Sequence, residues 1–357
     1  MVQNKQLDFS GTTIYCGVDM HKKNWRINIQ DNEFELEDYN QDADAVLLYK
    51  HLNRKYPGAH FKIGYEAGFS GFSAQRYLSS KGVECLVINA ADVATTDKEK
   101  RQKSDKIDAR KLCEHLQSKK VKSIYIPALP WEHGRSLIRA RARIVNNQTR
   151  CKNRIWQLLH FSGLSLPKNY QAGQYWSRSF IQLLENLECN SQALRTALQL
   201  YIKDYQQTRT LLLEVTRAVR KLCRQNEYEK QIRLLLSIPA IGEVNAAVIL
   251  FELQDVKRFR HFDQLCSYAG LIPNTGDSGD TKITKGITNR TNHFLRVALV
   301  ESSWLAIRKD PALLIKYKTY CRRMDRNKAI IRIAKHLLSR INYVLKNEKE
   351  YVTGVVA

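Results

Sequence analysis

The sequence predicts a mixed α/β domain followed by a mostly helical region, and three observations support this fold class. Short apolar runs alternate with helix-like segments over residues 13–90. From about residue 131 onward, apolar residues recur mainly at helical spacing. The formal net charge changes near the same point, from +3 over residues 1–127 to +20 over residues 128–357. Mixed strands and helices of the first kind form a layered α/β domain.

The N-terminal region contains strand and helix patterns in alternation. Two of its predicted strands run into an acidic residue, Asp19 in one and Glu66 in the other. The first two strands are separated by a short polar segment, which predicts a hairpin. The predicted strands are 13–20, 25–30, 61–68 and 84–90, and the predicted helices are 44–56 and 73–82.

The middle of the chain predicts two long helices. Residues 135–164 form the first, and no Asp or Glu occurs from 133 to 184, so its cations lack acidic partners on their own helix. A phosphate backbone is the expected partner, although a solvated basic face gives the same pattern. The second helix, 201–222, has 4-3 apolar spacing, which fits a dimeric coiled coil or an antiparallel pair within one chain. The predicted nucleic-acid contacts of the first helix are Arg139, Arg141, Arg143, Arg150, Lys152 and Arg154.

The C-terminal region is predicted to be helical around one polar segment. An I-P-x-I-G turn within residues 234–253 resembles a helix-hairpin-helix element, whose backbone N–H groups can approach a phosphate. Residues 274–292 lack hydrophobic periodicity and predict a long polar loop, and such loops are often functional. The other predicted helices are 259–273, 293–308 and 325–347.

Charge and cysteine content narrow the class of protein. A net charge of +23 predicts a polyanionic partner, with nucleic acid first. The eight cysteines contain no C-x-x-C pair, so we expect reduced thiols rather than a zinc site or a disulfide framework. Residues 1–13 are polar, and the longest apolar stretch is interrupted by polar residues, so we expect a cytoplasmic protein without a signal peptide or membrane span.

Four carboxylates are candidates for a metal site. Asp19 and Glu66 end strands, while Asp105 and Asp108 are three residues apart and share one helix face. Clustered carboxylates favour a hard cation, so the expected cofactor is Mg²⁺ or Mn²⁺. The alternative for the aspartate pair is a solvated surface that forms ion pairs with neighbouring cations, which are Lys103, Lys106, Arg110 and Lys111.

Seven segments in the same order resemble the DEDD insertion-sequence transposases. They cover residues 13 to about 308 and include YCGVDMHKKNWRI, GYEAGFSGF, RQKSDKIDARKL, ARARIVNNQTRCKNRIWQLLHFSGL, SIPAIGEVNAAVIL, FDQLCSYAGLIP and SGDTKITKGITNRTNHFLRVAL. The resemblance implies a RuvC-like (RNase H-like) catalytic domain at 1–130. It also implies a basic helix and coiled-coil linker at 131–230, and a C-terminal transposase domain at 231–357.

The resemblance also implies the site residues. The acidic tetrad of the family corresponds to Asp19, Glu66, Asp105 and Asp108, which would bind Mg²⁺. The nucleophilic serine corresponds to Ser278 in DSGD, although by its spacing alone Ser278 could simply turn a glycine-rich loop. The sequence departs from the family pattern at Asn289 and Thr291, where Lys and Gly are common. Further phosphate contacts are expected at Lys103, Lys282, Lys285 and Arg290.

Together these features predict a recombinase that moves its own insertion sequence in a prokaryotic cell, at the nucleoid. The resemblance implies a phosphoserine intermediate and a structured bridge RNA that pairs with target and donor DNA. It further implies a dimer or dimer of dimers, with the tetrad and the serine of one site supplied by different subunits. The alternatives are a metal-dependent structure-selective nuclease of the Holliday-junction type, and a non-catalytic nucleic-acid-binding protein.

Overall fold

The computed structural model describes residues 8–93, 105–166, 174–278, 281–287 and 291–353. The chain divides into two compact units, Met1–Ile126 and Pro127–Ala357. Within the described residues, no helix is both long enough and apolar enough to cross a membrane.

The first unit is built on a five-stranded mixed sheet in the order β3-β2-β1-β4-β5. Strands β1, β2 and β3 form an antiparallel meander, and β4 and β5 run parallel to β1. The predicted hairpin and mixed α/β class are confirmed. The strands are β1 (Thr13–Met20), β2 (Asn24–Gln30), β3 (Glu35–Asp42), β4 (His60–Glu66) and β5 (Glu84–Ile88), and the helices are α1 (Ala45–Lys55), α2 (Ser73–Ser80) and α3 (Asp105–Gln117).

Strand β3 is the element of this unit that the sequence does not predict. Its residues, ELEDYNQD, include four acids, and acidic residues are depleted in strands. They are accommodated because β3 lies at the edge of the sheet and cations on neighbouring elements bind three of them, Glu35, Glu37 and Asp38. Glu37 binds Lys55 of α1 at 2.9 Å, and Glu35 binds Arg110 of α3 at 2.7 Å.

Helix α3 lies unusually close to the sheet because two adjacent strands carry glycines where it packs. Gly17 of β1 and Gly64 of β4 are opposite each other in register. A Cβ on Gly17 would lie 2.0 Å from the carbonyl oxygen of Ala109, and one on Gly64 would lie 3.0 Å from the methyl groups of Leu116. The two glycines therefore permit the backbone of α3 to contact β1 directly.

We expect Gly17→Ala to destabilise the sheet around α3 by about 3 kcal/mol, because the added methyl group meets backbone that cannot rotate away. Hydrogen exchange of the β1 and β4 amides in the intact protein should then be faster by roughly a hundredfold. Gly68→Ala is the matched control, since its Cβ meets no described atom within 4 Å. Equal exchange rates in the two variants would contradict the close packing of α3.

The described residues of the second unit form mainly helices, with one small hairpin. Its long helices α4 and α6 run antiparallel, because Arg154 contacts Asp204 whereas Arg141 contacts Thr216. The helices are α4 (Leu129–Phe161), α5 (Arg178–Glu185), α6 (Gln192–Cys223), α7 (Asn226–Leu236), α8 (Glu243–Leu253), α9 (Phe262–Tyr268), α10 (His293–Lys309), α11 (Pro311–Cys321) and α12 (Arg326–Asn347), and the strands are β6 (Pro273–Ser278) and β7 (Thr281–Ile287).

Separate hydrophobic cores hold the two ends of this unit. One core packs Ile155 of α4 against Phe180 of α5 and Ile202 of α6. A larger core joins α4, α8, α10 and α12, and its buried residues include Ile138, Leu250, Leu299 and Leu337. Helix α4 contributes to both cores, so it links them within the unit.

The hairpin β6–β7 stands where the sequence predicts a polar loop. Its register pairs Pro273 with Ile287 at the base and Ser278 with Thr281 at the tip. The loop prediction is wrong for residues 274–278 and 281–287, which form strands. Four of the seven residues of TKITKGI are β-branched and favour a strand even where hydrophobic content is low.

Candidate active site and nucleic-acid interface

Two of the predicted carboxylates lie at the C-terminal ends of neighbouring parallel strands, and therefore at the same end of the sheet. Val18 of β1 is paired with Tyr65 of β4, so Asp19 and Glu66 occupy the next position of each strand. Asp19 is half-buried, and its Oδ2 lies 3.2 Å from Nε2 of His21. Glu66 is exposed. The sequence-based expectation that both acids lie at strand ends is therefore met by the strand register.

The first turn of α3 lies towards the same end of the sheet, where β1 and β4 terminate. Near the start of α3, Lys106 binds Asp38 at 3.1 Å, and one turn later Arg110 binds Glu35 at 2.7 Å. Asp38 and Glu35 belong to β3, which runs parallel to β1, so their order means that α3 runs opposite to β1. The start of α3 therefore lies near the end of β1, where Asp19 is.

The two aspartates of α3 are both in this first part of the helix. Asp105 is its first residue, and the side chain of Asp105 lies outside the described part of the structure. Asp108 is half-buried and directly precedes Ala109, the residue that contacts Gly17. The backbone thus brings the four acidic positions to the end of the sheet where β1 and β4 terminate.

Two cations that neighbour these aspartates, Lys106 and Arg110, bind acids of β3. Asp38 also binds Arg26 at 2.6 Å, and, although burial raises it, the hydrogen bonds from Arg26 and Lys106 hold the pKa of Asp38 below its usual range. The hydrogen bond to Glu35 raises the pKa of Arg110. Two of the four cations proposed as partners for the aspartate pair therefore bind acids of β3.

The donor set at this end of the sheet suits a hard divalent cation, because it consists of carboxylates. The described side chains do not include a group of three or more acidic, His or Cys residues that could hold a metal ion. The carboxylate of Asp105 is not among these described side chains. The convergence of the four positions is thus a property of the backbone topology.

The basic face of α4 is more strongly paired than its sequence suggests. Arg139 binds Glu252 of α8 through two hydrogen bonds of 2.8 and 2.9 Å. Arg141 donates to Thr216 of α6 at 3.0 Å, and Arg154 lies 3.3 Å from Asp204 of α6. The acid-free segment on α4 therefore obtains its partners from other helices.

The remaining predicted contacts of α4 differ in exposure. Lys152 lies over the rings of Trp176 and Tyr205, and burial, followed by the charge of Arg209, lowers its pKa. Arg143 and Arg150 are exposed. These two arginines are the members of the predicted set that are best placed to meet a phosphate from solvent.

The predicted nucleophile lies at the tip of the β6–β7 hairpin. Ser278 is the last residue of β6, and its backbone pairs with Thr281. Lys282 and Lys285 lie in β7, opposite Asp277 and Asn274. Lys103 and Arg290 lie outside the described residues.

Glu252 is the residue at this end of the second unit that the sequence analysis does not identify. It is fully buried and binds both Arg139 and Asn292. Its signal in the sequence is a single acid inside the otherwise apolar run AAVILFEL. Because a buried carboxylate requires partners, this pattern indicates a buried ion pair.

Comparisons with known proteins match both units. A model described as a transposase family of the DEDD type matches residues 16–162, and the model of the IS116/IS110/IS902 transposase family matches residues 232–318. A candidate transposase of Sinorhizobium fredii, y4rJ, is 28% identical over 336 residues, which cover 83% of this chain and 81% of the relative.

Two further relatives are named for their insertion sequences. The transposase for IS1533 of Leptospira borgpetersenii is 24% identical over 71% of this chain and 75% of its own length. The transposase for IS1111A of Coxiella burnetii is 21% identical over 71% of this chain and 70% of its own length. Both family models match in the expected order, and these relatives span most of the chain. The chain therefore belongs to the DEDD insertion-sequence transposase family and is a DNA transposase.

Proposed function

We propose that this transposase cuts and rejoins DNA through a covalent bond to Ser278, with Mg²⁺ or Mn²⁺ held by Asp19, Glu66, Asp105 and Asp108. The main support for the metal site is that β1 and β4 end, and α3 begins, at the same end of the sheet. Topology of this kind concentrates carboxylates, and their mutual repulsion favours a bound cation.

Ser278 supplies the covalent chemistry in this proposal. Its Oγ forms a bond to a DNA phosphorus atom, the proton leaves Oγ, and the phosphodiester bond to the departing strand breaks as that strand's oxygen gains a proton. A DNA hydroxyl then attacks the phosphoserine and releases the serine. One ester replaces another in each step, so rejoining needs no ATP. When bound, the divalent cation would supply positive charge to phosphate oxygens.

The position of Ser278 supports this role. It is the last residue of β6, at the tip of the hairpin, and a hairpin tip can enter a groove of nucleic acid. Lys282 and Lys285 follow on β7 and are proposed to bind phosphate groups. Lys103 and Arg290 complete the set of proposed phosphate contacts.

The second unit is proposed to bind the nucleic-acid backbone. Exposed Arg143 and Arg150 of α4 meet phosphates, and the turn that ends at Gly242 presents the free N–H groups of α8 as a helix-hairpin-helix would. We assign the antiparallel pair of α4 and α6 to the coiled coil of the family. The family resemblance further supports a bridge RNA that selects target and donor DNA, assembly as a dimer or dimer of dimers with composite sites, and action at the nucleoid.

We expect Arg143→Gln with Arg150→Gln to weaken DNA binding in a salt-dependent way. Each lost phosphate contact lowers the magnitude of the slope of log K against log salt by about 0.9, so the double variant should lose roughly 1.8. Fluorescence anisotropy between 50 and 200 mM salt measures this slope on a labelled duplex. Arg308→Gln, an exposed arginine on α10, controls for net charge. An unchanged slope would exclude this face of α4 as the interface.

Covalent trapping tests the proposed chemistry. The purified protein, its co-purified RNA and Mg²⁺ are mixed with a nicked suicide DNA that carries the junction of the element. A DNA adduct on Ser278, located by mass spectrometry after denaturing electrophoresis, is the expected result. Cleavage without an adduct would identify a metal-dependent nuclease, and binding without either would identify a non-catalytic protein.

A further inference from the structure

The buried acid Glu252 binds groups from three different segments of the second unit. It lies on α8 with none of its surface exposed. Its Oε1 accepts from Nε of Arg139 at 2.8 Å, and its Oε2 accepts from Nη2 of Arg139 at 2.9 Å and from Nδ2 of Asn292 at 2.7 Å. Nε of Arg135 lies 3.7 Å from Oε2. The carboxylate is thus neutralised and hydrogen-bonded inside the protein, as its burial requires.

Two residues near Glu252, Tyr268 and Asn292, lie before and after the β6–β7 hairpin in the sequence. Tyr268 ends α9 before the hairpin, and Asn292 follows the hairpin and caps α10. The backbone N–H of Asn292 donates to the carbonyl of Tyr268 at 2.8 Å, and Nδ2 of Asn292 donates to the Tyr268 hydroxyl at 3.0 Å. That hydroxyl donates in turn to the carbonyl of Glu252 at 3.0 Å. Both ends of the hairpin are therefore joined at its base.

Close packing beside these hydrogen bonds restricts the same region. Gly270 has a φ of +70°, and a Cβ at this position would lie 2.7 Å from Cβ of Thr291. The side chain of Thr291 thus fills the space that only glycine leaves at residue 270. The two ends of the hairpin therefore pack against each other at Gly270 and Thr291.

The guanidinium of Arg139 contacts groups inside the protein. Two of its nitrogens bind Glu252, and its Cζ lies 5.0 Å from the ring centre of Phe294 on α10. The hydrogen bond to Glu252, although opposed by burial, raises the pKa of Arg139. Its geometry fits an internal tie from α4 to the base of the hairpin better than a contact to phosphate.

We propose that Arg139, Glu252 and Asn292 form a clamp that positions the β6–β7 hairpin, and with it Ser278, relative to α4. These three are positioning residues, and the proposal rests on the function proposed above for Ser278. The clamp connects the helix whose exposed arginines meet nucleic acid to the hairpin that carries the nucleophile. A nucleophile held in one orientation reacts faster than a mobile one, although it binds DNA no more tightly.

Asn292→Asp is the most informative single change. Aspartate keeps the oxygen that caps α10, but it replaces the Nδ2 donor with a second carboxylate facing Glu252. We expect exchange of the β6 and β7 amides to quicken at least about tenfold. Adduct formation on suicide DNA at saturating protein should slow by roughly 10- to 100-fold. The Kd for the same DNA should change less than about twofold.

Restoring the hydrogen bond should restore the rate. In the double variant Asn292→Asp with Glu252→Gln, the new amide nitrogen can donate to the new carboxylate, and the amide oxygen can still accept from Nε of Arg139. We expect adduct formation and amide exchange to return to within about threefold of the unsubstituted protein. Arg308→Gln, at an exposed arginine near the other end of α10, is the control and should leave hairpin exchange, DNA affinity and the rate of adduct formation unchanged.

The possible outcomes separate the clamp from the proposed function. Unchanged hairpin exchange in Asn292→Asp, or no recovery in the double variant, would overturn the clamp whether or not the protein forms an adduct. If the unsubstituted protein forms no adduct, the proposed function of Ser278 fails, and the positioning of a nucleophile fails with it. Should Asn292→Asp not fold, Arg139→Lys keeps the charge, removes the paired hydrogen bonds and should give the same losses.

Discussion

We expect Ser278→Ala to abolish the covalent protein–DNA adduct and to lower strand exchange by a factor on the order of 10³ or more. Alanine has no oxygen with which to attack phosphorus, and no adduct can form without that bond. The substitution removes one hydroxyl at the end of β6 and leaves the backbone pairing with Thr281 available. DNA affinity should therefore stay within about twofold of that of the unsubstituted protein.

Thr281→Val is the matched control for this experiment. It removes the hydroxyl from the opposite position of the hairpin tip and keeps the shape of the side chain. Adduct formation should persist in this variant and disappear in Ser278→Ala. Strand cleavage that survives in Ser278→Ala at the original rate would show that water, rather than the serine, attacks the phosphate, and would favour the nuclease alternative.

The placement of the acidic positions was largely predictable from the sequence. An apolar strand that runs into an acid predicts a carboxylate at a sheet edge, and this pattern identified the positions of Asp19 and Glu66. The sequence could not show how closely α3 approaches them, because that approach depends on Gly17 and Gly64 meeting across neighbouring strands. A glycine pair of this kind is recognisable only once the register is known.

Edge strands and small hairpins were harder to predict, for a physical reason. Only Leu36 and Tyr39 of strand β3 pack against the core, and ion pairs to residues far along the chain, such as Arg110, also stabilise it. Hairpin β6–β7 is held at its base by Asn292 and Tyr268, which lie outside both strands. Local sequence patterns do not contain these long-range partners.

It was equally difficult to predict from the sequence which cations of the basic helix α4 are available to bind a partner. All six cations of α4 have similar sequence surroundings, yet Arg139 binds an acid that is 113 residues away and Arg143 faces solvent. A count of acids within one helix therefore overestimates how many of its cations are available to a partner. Exposure, which only the fold reveals, separates the two groups.

We expect Asp19→Asn to remove metal-dependent strand chemistry by a factor on the order of 10² to 10³, because an amide is a weaker and neutral ligand for a hard cation. Loss of one negative charge near the phosphates should leave DNA affinity unchanged or slightly higher. The amide oxygen can still accept a hydrogen bond from His21, which now contacts Asp19 at 3.2 Å. The fold of the sheet edge should therefore persist.

Two measurements separate the metal role of Asp19 from a structural role. Titration of the protein with Mn²⁺, followed by electron paramagnetic resonance, should show weaker binding in Asp19→Asn, and it requires no DNA chemistry. Adduct formation should depend on added Mg²⁺ in the unsubstituted protein and should be lost with EDTA. Glu84→Gln is the matched control, because Glu84 begins β5 and binds Lys62 at 2.8 Å, at the opposite edge of the sheet.

The two possible outcomes show whether attack by Ser278 requires the metal ion. If Asp19→Asn loses both Mn²⁺ binding and the adduct on Ser278, the serine acts only when the carboxylate edge holds its cation. If Mn²⁺ binding is lost and the adduct still forms at the original rate, attack by Ser278 is independent of the metal. In that case the four acids would serve a later step, such as release of the strand from the phosphoserine.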